Sequence, residues 1–389
     1  MKNKSFIPLS VPNICGNELK YVIQAVEEQW VSTAGGNINR FEEKMTEYLS
    51  IEAACACQSG TAGLHLCLRH FGIGKGDIVL VPTLTFIATI NAVMYEAATP
   101  VFFDCEDNLG INVKQIKEYL EKECEFDGVI VREKKSGALI KAIVPVHVFG
   151  DTCNMDEIMK IATKYKLIVI EDATEALGTK FSYGKYEGMY AGTVGHAGVF
   201  SFNGNKIITT GGGGMIVSNN IEDIRHMKYL SQQAKDDVIY FEHNEVGYNY
   251  RMTNIQAALG LGQLEQLEEF IQIKKKNFGL YRKMLKTCEF GKLLEFKEKE
   301  TANYWFYTFQ LTTNQKDERD RLIKYLQDNN IQVRPIWKLN HTQKPFESFR
   351  TMSTSQAEYF YDTIINLPCS SSLTEEQVKV VCKVLLAFK

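Results

Sequence analysis

At 389 residues the chain exceeds what one simple core holds, and its length implies two domains, or one large and one small. Hydrophobic residues at 45% and charged residues at 23% are ordinary globular values, which excludes a disordered or fibrous chain. A formal net charge of −3, from 44 basic and 47 acidic residues, leaves no electrostatic footprint for nucleic acid or an anionic membrane, so an anionic ligand must be held locally.

The ten cysteines are scattered without a CxxC pair and read as reduced, mostly buried small hydrophobes of a cytoplasmic protein. The start, MKNKSFIPLSVPN, lacks an apolar run with a cleavage site, and no stretch approaches the ~18 apolar residues of a membrane span, so neither secretion nor membrane insertion is expected.

In chain order, helical spacing over 17–28 (Leu19, Val22, Ile23, Val26) precedes a loop at 31–36 ending in Gly-Gly. A second amphipathic helix carries Phe41, Met45, Tyr48 and Leu49. These two helices could clasp a neighbour or wrap the core. From Ala53 a strand leads into the turn Ser59-Gly60-Thr61 and a helix from about Ala62 to His70. The exposed N–H groups of that helix start make an anion site, while Thr61 as a plain helix cap is the ordinary alternative. Apolar runs at 78–82, 100–104, 142–150 and 167–173 alternate with helical stretches at 86–97 and 155–165. That alternation predicts a largely parallel sheet with helices on both faces and ligands at the carboxyl ends of its strands. Asp172 lies at such an end, with Glu175 three residues on.

Lys206 stands out because it sits between two apolar stretches, 199–202 and 215–217, beside the glycine run 211–214. An ammonium group there serves either as a phosphate-binding point charge or as a reactive amine of lowered pKa. Further on, a helix is expected over 221–230, a tyrosine-rich turn at 245–254, and a long helix from Asn254 through Leu259, Leu261, Leu264, Leu267 and Phe270. The remainder reads as a smaller α/β unit, with strands at 301–311 and 331–337 and helices at 319–327 and 375–388. The expected division is 1–270 for the N-terminal segment and large domain and 271–389 for the small one.

No G-x-x-x-x-G-K-[ST] and no G-x-G-x-x-G opening a helix is present, and the seven histidines show no metal-ligand spacing, so no metal site is expected. A lysine between strands, a strand-end carboxylate and an upstream phosphate cradle together suit a cofactor that is aldehyde, pyridinium and phosphate at once. Pyridoxal 5′-phosphate is that molecule: Lys206 would take the aldehyde as a Schiff base, Asp172 the ring nitrogen and Ser59-Gly60-Thr61 the phosphate.

The ordered motifs SGTAGLHL, PTLTFIATINA, IEDATEALG, SFNGNKIITTGGGGM and GYNYRMTNIQAALG resemble the DegT/DnrJ/EryC1/StrS sugar aminotransferases, over nearly the whole chain. IPLSVPNICGNE and RPIWKLNHTQ look most like the LegC-type branch. The resemblance implies a fold type I pyridoxal phosphate-dependent transferase, with a mostly parallel central sheet flanked by helices and a smaller C-terminal α/β domain. It implies Lys206 as the Schiff-base lysine, Asp172 as the pyridinium partner and Phe86 stacked on the ring. Gly60, Thr61 and Ser201 match phosphate ligands, and Asn254 a phosphate contact given across a homodimer interface. Glu175 falls where many relatives have Gln or His near the cofactor hydroxyl, and an acid there could also face the sugar amine. Arg251, Trp337, Lys338 and His341 are substrate contacts by the branch resemblance alone.

The implied reaction moves the amino group of L-glutamate, through the pyridoxamine phosphate form, to C4 of a UDP-linked 2-acetamido-4-keto-2,6-dideoxy hexose, for a surface glycan or nonulosonate of legionaminate or bacillosamine type. Alternatives are a GDP- or dTDP-linked ketosugar, amination at C3, or a non-catalytic protein that binds the cofactor or the sugar nucleotide. Relatives that use pyridoxamine phosphate for dehydration typically have histidine at the lysine position, and Lys206 argues against that reading.

Overall fold

The computed structural model describes residues 6–237, 239–313 and 315–388; residues 1–5, part of the start expected to carry no leader, lie outside them. The chain opens with α1 (Glu18–Glu27) and α2 (Gly36–Leu49). It then alternates strand and helix through β1 (Ala53–Cys57), α3 (Gly60–His70), β2 (Asp77–Pro82), α4 (Ala88–Tyr95), β3 (Thr99–Phe103) and α5 (Val113–Glu123). Short β4 (Cys124–Phe126) and β5 (Val131–Glu133) form a hairpin before β6 (Leu139–Ile143), α6 (Met155–Tyr165), β7 (Ile168–Asp172), β8 (Ala197–Ser201), β9 (Gly214–Ser218) and α7 (Ile221–Ser231). The apolar strands are buried on both faces, as strands covered by helices on either side must be.

The main sheet runs β1-β9-β8-β7-β6-β2-β3, with the β4–β5 hairpin attached through β5 to β6. The ladders β2–β3, β2–β6, β6–β7 and β7–β8 are parallel, whereas β9 is antiparallel to both β8 and β1. On this path β9 alone is therefore reversed. The carboxyl ends of β1, β2, β7 and β8 and the start of β9 consequently meet along one edge, where ligands of such sheets bind.

After α8 (Asn254–Leu264) and α9 (Leu267–Met284) comes an antiparallel sheet, β10-β11-β13-β12. It is built from β10 (Gly291–Leu293), β11 (Tyr307–Leu311), β12 (Arg334–Pro335) and β13 (Ile364–Leu367), with α10 (Lys316–Asp328), α11 (Ser355–Thr363) and α12 (Glu375–Leu386). The N-terminal segment lies along this second unit: Ile7 bridges Ile331, and Cys369 N–H donates to Leu9 O at 2.8 Å. The expected division at 270/271 falls inside α9.

Several expectations need correction. The helix after β1 starts at Gly60, and its cap is Ser59, whose hydroxyl accepts Ala62 N–H at 3.1 Å; Thr61 is not the cap. The run at 142–150 is a strand only to Ile143; it ends in a tight turn at Val148–Gly150, where Phe149 has φ 56°. The long helix breaks after Leu264, and Thr253 rather than Asn254 caps it, through a reciprocal box with Gln256. The strand at 301–311 shrinks to β11, and that at 331–337 to β12.

Candidate active site

Lys206 lies in the loop joining β8 to β9, its side chain 12% exposed. Its Nζ is 3.8 Å from Glu175 Oε1 and 4.1 Å from the centre of the Trp305 ring. Burial pushes the amine's pKa down, against the opposite pull of Glu175 and Asp172. The structure thus places a desolvated amine beside two carboxylates.

Asp172 ends β7 and is buried. Its Oδ2 accepts the Thr89 hydroxyl at 2.7 Å and its Oδ1 the Thr174 N–H at 3.2 Å. Thr89 has one hydroxyl hydrogen and gives it to Asp172, so its 3.2 Å contact with Thr85 runs from the Thr85 hydroxyl. Glu175 accepts the Phe149 N–H at 2.8 Å on Oε2 and turns Oε1 toward Lys206. Burial pushes its carboxyl up to about 7; Lys206 and the Phe149 N–H oppose that rise, and Asp172 adds to it. The left-handed backbone of Phe149, unusual for a residue with a Cβ, aims this N–H at the carboxylate.

Across the cleft, the first N–H groups of α3 precede its first intrahelical bond, Gly63 N–H to Ser59 O. A Cβ on Gly60 would stand 2.9 Å from Thr174 Cγ2 and 3.1 Å from Ser201 Cβ, so only glycine leaves this cradle open. Gly60, Thr61, Phe86, Asp172, Glu175, Ser201, Lys206 and Trp337 all line one cleft with about 230 Å³ of free space. Phe86 is 54% exposed, with its ring 6.4 Å from that of Trp337, which is poor packing for a core aromatic and a fitting wall for a flat ligand. An amine, a buried carboxylate and a helix N-terminus in one cleft, with an open cradle lined by hydroxyls, suit the aldehyde, ring nitrogen and phosphate of pyridoxal phosphate.

Four expected residues lie elsewhere in this chain. Asn254 is buried against the 30–37 loop: Nδ2 donates to Trp30 O at 2.6 Å, and Oδ1 accepts Asn37 N–H at 2.9 Å. Arg251 bridges Cys57 at the end of β1 and donates to the Gln232 side chain. Lys338 is exposed, and His341 Nδ1 is 2.6 Å from the Thr83 hydroxyl. Burial pushes the His341 imidazole down, with Glu358 and Asp104 opposing. Sequence reasoning missed Thr89, Thr174, Trp305 and Phe306, which also line the cleft. Thr89 sits within the quoted motif PTLTFIATINA, three residues after Phe86, and that spacing was the available signal. A more open depression of about 680 Å³ around Asp104, Glu106 and Asp107 holds none of the expected residues.

A model of the DegT/DnrJ/EryC1/StrS aminotransferase family matches residues 12–386. EpsN of Bacillus subtilis (strain 168), provisionally named a pyridoxal phosphate-dependent aminotransferase, is 37% identical over 385 residues, covering 98% of this chain and 95% of EpsN. The GDP-perosamine synthase of Escherichia coli O157:H7 is 35% identical over 384 residues, covering 98% of both chains. Among solved structures, Helicobacter pylori PseC, an aminotransferase involved in the biosynthesis of pseudoaminic acid, shares the fold at a TM-score of 0.87, with 24% identity and 98% of each chain covered.

Proposed function

The chain belongs to the DegT/DnrJ/EryC1/StrS aminotransferase family, and on that premise we propose that it moves the amino group of L-glutamate to C4 of a UDP-linked 2-acetamido-4-keto-2,6-dideoxy hexose. It is a pyridoxal phosphate-dependent sugar aminotransferase of the fold type I architecture. The observation that carries the chemistry is the desolvated Lys206 amine set beside Asp172 and Glu175 in the cleft.

Pyridoxal phosphate supplies, when bound, a carbonyl that accepts an amino group and a ring that takes up electrons. Lys206 would hold it through Nζ and, once released, carry the proton between the donor carbon and the cofactor carbon. Asp172, fixed by Thr89 and Thr174, would accept the ring N–H. The first α3 N–H groups, Thr61 and Ser201 would hold the phosphate, and Phe86 would cover one ring face. Glu175 faces the same amine at 3.8 Å and would hold a proton at Oε1. Between the two half-reactions the cleft would hold the pyridoxamine phosphate form.

The working unit we propose is a cytoplasmic homodimer. Leu19, Ile23, Val26, Trp30 and Val31 are exposed on α1 and the following loop, an apolar face that a second copy would cover. Asn254 holds that loop through Trp30 O and Asn37 N–H, which supports a phosphate contact given to the site of a second copy. Arg251, Lys338 and His341 would reach substrate from outside the cleft described. Among the described residues no helix is long and apolar enough to cross a membrane, and no group of three or more ligating side chains could hold a metal.

A GDP-linked ketosugar is the second reading, favoured by the 35% identity to a GDP-perosamine synthase. The test is a panel of UDP-, GDP- and dTDP-linked 4-keto-6-deoxy sugars with L-glutamate, the new amine being located by NMR. Turnover confined to the UDP-linked 2-acetamido substrate, with the amine at C4, is expected. Preference for the GDP substrate would replace the nucleotide, and an amine at C3 would replace the position.

A further inference from the structure

Trp305 belongs to the second unit in sequence yet lies in the cleft, where it meets Lys206 and the residue before it. Its ring centre is 4.1 Å from Lys206 Nζ, within the range at which an aromatic face attracts an ammonium group. Its Nε1–H donates at 2.8 Å to Asn205 O, the carbonyl immediately before Lys206. The same carbonyl accepts the Ser10 hydroxyl at 3.1 Å, so the N-terminal segment shares the task.

The ring itself is held from behind. Tyr304 has a left-handed backbone, φ 55°, and Trp305 N–H donates to Asn303 Oδ1 at 2.9 Å. Buried Asn303 in turn donates to Glu175 O at 2.8 Å and Leu177 O at 2.9 Å, tying the Trp305 turn to the segment that carries Glu175. Phe306 stacks on Trp305 with centroids 4.0 Å apart, and Phe149 packs at 6.1 Å. An indole only 2% exposed, with its polar edge satisfied and its face turned to an amine, is more constrained than filling space requires.

We propose that Trp305 is a positioning residue for Lys206, its ring face favouring the charged amine and its ring edge fixing the peptide that aims it. The proposal rests on reading Lys206 as the reactive amine. The charged groups that act on Nζ are Glu175, from the segment after β7, and Asp172, from the end of β7, and both also favour the ammonium form. Among the described residues that line the cleft, Asp172 and Glu175 are the charged side chains beside Lys206. Burial opposes all three influences, so removing the ring face should lower the pH at which the amine loses its proton.

The test uses full-length, cofactor-free protein and measures acetylation of Lys206 by acetic anhydride against pH, by mass spectrometry of its peptide. Trp305→Leu should move the midpoint down by about half a pH unit, whereas Trp305→Phe, which keeps a ring face, should leave it in place. For the edge, Ser10→Ala with Trp305→Phe should lower kcat by more than the product of the single effects, because each single variant leaves one donor on Asn205 O. Trp305→Met replaces the leucine variant if that protein does not fold. An unmoved midpoint in the ring-less variant, or equal shifts in Trp305→Leu and Trp305→Phe, would overturn the ring-face role. Multiplicative kcat effects would overturn the edge role. Either failure leaves the reading of Lys206 standing if Lys206→Ala is inactive, and only an active Lys206→Ala removes both.

Discussion

Thr89 shows how much of a site can depend on one hydroxyl. It donates to Asp172 at 2.7 Å in a buried setting, so Thr89→Val leaves that oxygen without its donor while keeping the side-chain shape. The expected result is a fall in kcat on the order of tenfold with the KM for glutamate little changed, and recovery in Thr89→Ser. Glu175 makes a prediction of opposite kind. Burial raises its carboxyl to about 7, so below that pH the folded cofactor-free chain holds the protonated acid and above it the carboxylate that faces Lys206. That contribution to stability is complete below the ordinary carboxylate pKa of about 4.3 and is lost as pH rises through about 7. Glu175→Gln should therefore gain stability relative to wild type between pH 5 and pH 8 in urea melts; parallel pH curves would contradict it. Asp172, Gly60 and Thr61 were legible because a strand end and a helix start carry them, Lys206 because it falls between two apolar stretches beside a glycine run, and Ser201 only through the family resemblance. Trp305 was not, because nothing local in TANYWFYTFQL says that its tryptophan meets a loop one hundred residues away.

Among the elements, α3 carries the clearest local logic. Ser59 caps it, and Gly60 keeps the cradle open toward Thr174 and Ser201. Ser59→Ala should cost about 1 kcal/mol of stability through the lost cap. Gly60→Ala should weaken binding of added pyridoxal phosphate to cofactor-free protein by roughly tenfold or more, read by absorbance titration, since the new Cβ would press on Thr174 and Ser201 at the proposed phosphate cradle. Unchanged affinity in Gly60→Ala would place the phosphate elsewhere. The strand–turn–helix order of this region was legible because Ser, Gly and Thr punctuate it. The break between α8 and α9 was not, because Glu265 and Gln266 carry no helix-stopping signal and the apolar spacing continues across them. The run at 142–150 misled for a different reason: its apolar character continues past Ile143, yet Pro145 has no N–H for a ladder and Phe149 turns left-handed.

At the scale of the whole molecule, two surfaces of α1 divide its residues. Ala25 and Glu18 face inward, Glu18 accepting Gln263 Nε2 at 2.6 Å from α8, while Leu19, Ile23 and Val26 face outward. The apolar spacing was visible in sequence, but which side meets the core was not, since a covered dimer face and a core face have the same composition. Charged replacements of Leu19, Ile23 and Trp30 together should give a monomer by sedimentation and little transamination. A fully active monomer would contradict the shared-site dimer. The most direct measurement of the central claim mixes cofactor-loaded wild type and Lys206→Ala with L-glutamate and follows visible absorbance and 2-oxoglutarate over a single turnover. The wild type should bleach and release one equivalent of product, with the variant slower by at least about 10²–10⁴-fold. Equal rates in the two proteins would contradict it.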